Sequence, residues 1–341
     1  MSRRLLALVV SLAVVVFVAA FAGILVAMSG DGDELTVYSA RSHYGEERPF
    51  ETFSARTGTE LRMFGGDAPE LYERLRSEGD QTAGDVLVTV DAANLWRAAD
   101  AGLLRPVRSP ALERNVPADL RDPGGRWYGL TVRARTIMRS TERVGPREVT
   151  TYDGLGDPRW RGRLCLRTSN NDYNISFVAD RIAKHGEAAT ARMLERWMAN
   201  DPTILGSDVD VLNAIADGSC DVGLTNSYYL GRELEDDPSF PVAAVWADQD
   251  GAGTHVNLSG VGVIAATDRP ADARALIEHL TAPAQQRALA GHNHELAVDP
   301  GVSPTPEIAQ FGDFERDAID VAGAGRHLGD AVRLMSRVGW D

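Results

Sequence analysis

The chain has 341 residues, enough for two lobes or domains with substantial cores. With 44% hydrophobic and 25% charged residues it has the composition of a folded globular protein, not of a disordered one. Its 35 basic and 49 acidic residues leave a formal charge of −14, which excludes a general nucleic-acid binder, because a phosphate backbone needs a basic footprint.

The N-terminus carries a targeting signal. Arg3 and Arg4 precede an uncharged run from Leu5 to Met28, 24 residues long. As a helix it would measure about 36 Å, against a hydrocarbon core of about 30 Å. It exceeds the usual signal-peptide core of about 7–15 residues, yet Ala20-Phe21-Ala22 offers a small-x-small cleavage site. A membrane anchor and a cleaved signal peptide therefore both fit residues 1–32. Either keeps the arginines inside and exports the body. No cysteine follows the run, so a lipidated N-terminal Cys is excluded. The two cysteines, Cys165 and Cys220, then lie where disulfides are permitted; two cysteines cannot build a zinc framework, and neither belongs to a C-x-x-C pair.

Past the spacer Gly30–Asp33, strand-like and helix-like segments alternate. ELTVYSA, ELRMFG and DVLVTVD read as strands, and PELYERLRSEG and AANLWRAADAGLL as amphipathic helices. WYGLTVRARTIMRS is a long strand, followed by RLCLRTS and then by ISFVADRIAKHGEAATARMLERWMAN, two helices parted near Gly186. TILGS, CDVGLTN, FPVAAVW and NLSGVGVIAAT are strands; ADARALIEHLTAPAQQRALA and GDAVRLMSRVGW close the chain as helices. Such alternation predicts an α/β protein with mainly parallel sheets. No linker separates two lobes, so the chain is expected to cross between them more than once, leaving a cleft for a ligand.

Familiar enzyme motifs are missing: the sequence has no G-x-S-x-G elbow, no H-E-x-x-H and no phosphate loop. GAGTHVNLSG and AGAGRHLG are glycine-rich but read as turns, and His292 and His294 in GHNHEL read as hydrogen-bonding residues before metal ligands. The tyrosines are more informative. Tyr44, Tyr173 and the adjacent pair Tyr228–Tyr229 each lie just beyond the carboxyl end of a strand, where open α/β sheets bind ligands. Asn226 or Ser227 could cap the following helix, leaving both phenols at its positive end and favouring phenolate. Several phenolates at neutral pH call for a strong cation; hard Fe(III) suits oxygen anions, whereas zinc and copper favour histidine or thiolate. The same tyrosines would also serve to pack an interlobe surface or to stack on an organic ligand.

In VYSARSHYGEE, DVLVTVDAANLWRAADAGLL, YGLTVRARTIM, CLRTSNNDYNIS, CDVGLTNSYYL, DGAGTHVNLSGVGV and AVRLMSRVGW, taken in order, the exported body resembles the ferric-iron-binding periplasmic proteins of bacterial ABC importers, NSYY being the most specific segment. The resemblance implies a type II two-lobe clamshell with mixed sheets flanked by helices and a cleft between the lobes. It implies Fe(III) ligation by Tyr173, Tyr228 and Tyr229 from one lobe and Tyr44 from the other, with His43 a further ligand in some members. Arg133 and Arg135 resemble a basic stretch that balances phenolates or holds a synergistic anion such as carbonate. The implied protein is a periplasmic monomer, not an enzyme, that hands iron to an importer's permease and ATPase. The expected division is lobe one over 33–130 and 251–300, and lobe two over 131–250 and 301–341. Two other readings stay open: a clamshell for a phosphonate, sulfate or polyamine, and an exported non-haem metalloenzyme.

Cys165 precedes Tyr173 by eight residues and Cys220 precedes Tyr228 by eight. If RLCLR and CDVGL are neighbouring parallel strands in similar register, a Cys165–Cys220 disulfide would tie the bases of the two tyrosine loops. The alternative is two buried thiols.

Overall fold

The computed structural model describes residues 34–41 and 47–341. His43, Tyr44 and the apolar run Leu5–Met28 lie outside the described residues. Among those described, no helix is long and apolar enough to cross a membrane.

The elements follow from residue pattern. Strands β1 (Glu34–Ser39), β2 (Glu60–Gly65) and β3 (Val86–Thr89) pair in parallel. Between them run helices α1 (Arg48–Thr57) and α2 (Ala68–Glu78), and after β3 comes α3 (Ala92–Asp100), capped by Asp91, whose carboxylate accepts from Asn94 N. Helix α1 escapes the sequence reading, although it has Pro49 at its start, Phe50 and Phe53 on one face and Gly58 at φ 77° as its left-handed stop. The short β4 (Leu104–Arg105) and α4 (Pro110–Asn115) lead to β5 (Tyr128–Ser140), thirteen residues buried almost throughout.

Strand β5 joins the two lobes. Its first half, up to Ala134, pairs antiparallel with β10 (Val256–Ile264), which pairs with β3; its second half, from Arg135, pairs antiparallel with β8 (Val222–Asn226). The strand order is β2-β1-β3-β10-β5-β8-β6-β7, with β6 (Leu164–Arg167) and β7 (Thr203–Leu205) beyond β8. Strand β9 (Val242–Val245) and β11 (Leu296–Ala297) both pair with β5. The sheets are thus mixed, with parallel pairing interrupted by the antiparallel β5 and β10, because those strands carry the chain between lobes.

The crossings are gathered at one place. Tyr152 OH donates to Arg135 O at 2.7 Å and accepts from His255 N at 2.9 Å, joining the outgoing strand to the returning one. A third segment lies alongside: Thr254 N donates to Glu315 O and Asp317 N donates to Thr254 O, both at 2.9 Å. Helix α5 (Asp172–His185) backs this junction, with Asp180 Oδ2 3.0 Å from His255 Nδ1, Lys184 2.9 Å from both Asp180 and Asp317, and Arg181 paired with Asp317. Burial raises the Asp180 carboxyl, but His255, Lys184 and Arg181 outweigh it and hold the group below the ordinary aspartate value.

Helix α6 (Glu187–Met198) follows α5 after Gly186, as the sequence predicts. The segment read as one helix over ADARALIEHLTAPAQQRALA is two, α9 (Pro270–Leu280) and α10 (Pro283–His292), since Pro283 starts a new helix. Helix α7 (Asp208–Asp217) precedes β8, and α8 (Ser227–Asp236) follows it directly. After α11 (Pro306–Ala309), the closing helix α12 spans Val321–Arg337 and packs on both α5 and α3. AGAGRHLG is therefore not a turn but the first half of a helix. A Cβ at Gly325 would overlap the Trp96 ring, so the glycine permits the close approach of α12 to α3.

Cys165 and Cys220 form a disulfide, with Cα atoms 5.8 Å apart and both residues buried. The parallel register differs from equal spacing. Cys165 pairs with Gly223, three residues beyond Cys220, which therefore sits in the turn entering β8. The offset is taken up above the strands: residues 168–171 separate β6 from α5, whereas β8 passes straight into α8.

Candidate functional site

Tyr173 is the second residue of α5 and Tyr228 the second residue of α8, so each sits in the first turn of a helix fed by a parallel strand. Tyr173 is therefore not in a loop; Asn171 caps α5 and its Oδ1 accepts from Tyr173 N at 3.0 Å. Neither Asn226 nor Ser227 caps α8 with a side chain: Asn226 is the N-cap residue, but its Oδ1 faces Arg135 Nη1 at 3.3 Å.

The phenols converge. Tyr228 OH lies 3.2 Å from Tyr173 OH, and the Tyr228 and Tyr229 rings lie 4.2 Å apart with planes inclined by 33°. Tyr228 is fully buried and Tyr173 nearly so. At the strand-to-helix junction consecutive residues escape the opposite-face rule of a strand, which is how one short segment points two phenols at one region.

Arginines surround them. The Arg133 guanidinium carbon lies 5.4 Å from the Tyr173 ring centre and 5.9 Å from that of Tyr228; Arg232 lies 5.2 Å from Tyr228 and 5.6 Å from Tyr229. Arg133 donates to Glu295 Oε1 and Val90 O, both at 2.7 Å, and to Ser259 Oγ. Arg135 is engaged by other partners, with Nη1 2.8 Å from Asp208 Oδ1 and Nη2 2.6 Å from Asn174 Oδ1; Arg167 also bonds Asp208 at 2.8 Å. These buried arginines interrupt an apolar central strand and are tolerated because carboxylates and carbonyls meet them.

Burial disfavours the charged form of Tyr229. Burial first, then the neighbouring Tyr173 and Asp208, push Tyr229 up to about 12, against smaller opposing effects of Tyr228 and Arg167. Desolvation is the largest of these influences, so a cation is needed to hold the group as phenolate, as the sequence reading requires. Asp172, beside Tyr173, is raised to about 7 by burial, Asp91 and Asp67. Among the described residues, no group of three or more His, Cys, Asp or Glu could hold a metal ion.

Sequence reasoning missed Arg232, Arg41, Asn293 and Glu295. Arg41 and Glu47 flank residues 42–46 and pair at 2.6 Å, while Glu295, wholly buried, joins Arg41 at 2.8 Å to Arg133. Burial raises the Glu295 carboxyl, but the two guanidiniums prevail and keep it below the ordinary range. The one available sequence signal was GHNHEL, whose polar residues sit just before a strand.

Two α/β lobes sharing the long strand β5, with convergent polar side chains at the helix starts, define a solute-binding clamshell. The chain matches the family of bacterial extracellular solute-binding proteins over residues 50–316, and it belongs to that family. It is 39% identical over 320 residues to iron uptake protein A1 of Synechocystis sp., covering 91% of this chain and 88% of that protein. A Trichodesmium protein solved in complex with iron and citrate superposes with a TM-score of 0.83 at 35% identity, over 90% of this chain and all of that one. The apo ferric ion-binding protein A of Pasteurella haemolytica gives 0.84 at 33% identity, over 91% and 98%.

Proposed function

We propose that this protein captures Fe(III) in the cleft between its lobes, through the phenolates of Tyr173, Tyr228 and Tyr229, and delivers it to the permease and ATPase of an ABC importer. The observation that carries this reading is the convergence of phenols, with Tyr173 OH and Tyr228 OH 3.2 Å apart. Phenolate oxygen is a hard anionic donor matched to a ferric ion. Tyr44, and with it His43, completes the ligand set from the other lobe, which comprises 33–130 and 251–300; lobe two comprises 131–250 and 301–341. Carbonate serves as a synergistic anion, and Arg133 balances the phenolate charge. The iron is cargo, and the protein works as a monomer without catalysis.

Titrating the purified, iron-free protein with ferric citrate tests this directly. A visible phenolate-to-iron charge-transfer band, absent with sulfate, phosphonate or polyamine, is the expected result. A colourless protein stabilised by one of those solutes would replace the iron reading.

The protein acts outside the cytoplasm, at the periplasmic side of the membrane. N-terminal sequencing of native protein should find either a chain beginning near Gly23 or a membrane-bound form retaining Leu5–Met28. Full-length chain in the soluble cytoplasmic fraction would contradict export.

A further inference from the structure

The segment Asn293-His294-Glu295, which the iron reading leaves without a role, lies along the helix that carries Tyr228 and Tyr229. Asn293 Oδ1 accepts from Arg232 Nη2 at 2.5 Å, and Asn293 Nδ2 lies 3.4 Å from Glu47 Oε1. His294 Nε2 lies 3.0 Å from Glu235 Oε2, and its Nδ1 lies 2.8 Å from Thr305 Oγ1. Tyr228, Arg232 and Glu235 are spaced i, i+4, i+7, so they share one face of α8. Glu295 then holds Arg133, the guanidinium that lies over the Tyr173 and Tyr228 rings.

Two further features show that this contact is built. His294 has φ 55°, a left-handed conformation uncommon for a non-glycine residue. Opposite it in α8 stands Gly231, where a Cβ would lie 2.8 Å from the His294 Cβ and 3.0 Å from Ile308 Cδ1. A glycine in a helix interior is unfavourable on its own, and here it lets the segment approach.

We infer that Asn293-His294-Glu295 is a positioning clamp for the tyrosine site. It fixes α8, pins Arg232 against the Tyr228 and Tyr229 rings, and pins Arg133 against those of Tyr173 and Tyr228. The clamp holds side chains that touch the ligands without contacting the ion itself. This inference rests on the ferric reading for its effect on affinity, but its structural content does not.

The test uses the full chain with Asn293→Ala and Gly231→Ala. Each should weaken ferric binding about 10- to 100-fold in citrate competition, as loss of outer partners of a metal site does. Asn293→Ala should also move the charge-transfer maximum, because Arg232 is no longer held on the Tyr228 and Tyr229 rings. In an Arg232→Gln background the effect of Asn293→Ala should shrink, and in a His294→Gly background that of Gly231→Ala should shrink. In iron-free protein, Asn293→Ala should alter the near-ultraviolet circular dichroism of the tyrosines, a readout that decides the clamp even if the wild type binds no iron. Unchanged tyrosine dichroism, or a lowered melting temperature with wild-type affinity and band position, would overturn the clamp. So would independent, multiplying effects of Asn293→Ala and Arg232→Gln.

Discussion

Replacing Tyr228 and Tyr229 together by phenylalanine should abolish the ferric charge-transfer band and the thermal stabilisation that iron confers. Phenylalanine keeps the rings that pack against Arg133 and Arg232 and removes only the oxygens. The hydrogen bond lost between Tyr228 and Tyr173 is worth about 1 kcal/mol, so the iron-free protein should remain folded. Ligand-linked stabilisation is far larger, about 4 kcal/mol when the ligand stands at a thousand times its dissociation constant. The difference between iron-loaded and iron-free melting should therefore vanish in the double variant. A double variant that kept its colour would place the site elsewhere.

The same site makes binding depend on pH. Because burial pushes Tyr229 up to about 12, the phenol enters the reaction protonated, and coordination must release its proton. The metal binds the deprotonated form, so acid opposes binding. For each proton released, apparent ferric affinity should fall about tenfold per pH unit as pH drops. Proton release measured in weakly buffered solution checks the sign and the number.

Much of this site was legible in the sequence because its cues are local. Strands such as DVLVTVD and CDVGLTN announce themselves by β-branched residues, and a tyrosine just past a strand is placed by that strand's end. The disulfide partners were legible from arithmetic, though the register was not, since four residues separate β6 from α5 and none separates β8 from α8. What stayed hidden depends on distant partners. Arg41 meets Glu295 across 254 residues, and Arg133 meets the same carboxylate across 162. Nothing within a helical or strand period reports such a pairing. The rise at Tyr229 stayed hidden for the same reason: it comes from burial and from Tyr173 and Asp208, which are distant in sequence.

Loss of the Cys165–Cys220 bond should be the most damaging covalent change available to the folded body. The bond spans 55 residues of sequence, which enclose α5, α6, β7 and α7. Loop-closure entropy for a ring of that length corresponds to about 4 kcal/mol of stability. Its Cα separation of 5.8 Å falls within the ordinary range of about 4.4–6.8 Å, so no backbone movement is needed to form it. Cys165→Ala with Cys220→Ala should therefore lower the melting temperature of the iron-free protein by about 6 °C. The closed ring holds Tyr173, while Tyr228 lies eight residues past its second cysteine. Freed of the bond, β6 and β8 stay paired through Leu164–Val222 and Cys165–Gly223 and through Arg163 with Asp221, and the two phenols lose part of the frame that sets their separation. Ferric affinity should then fall modestly while the colour survives, since every ligand is still present. Two titratable thiols in unreduced exported protein, or a double variant as stable as the parent, would show that the bond does not support the fold.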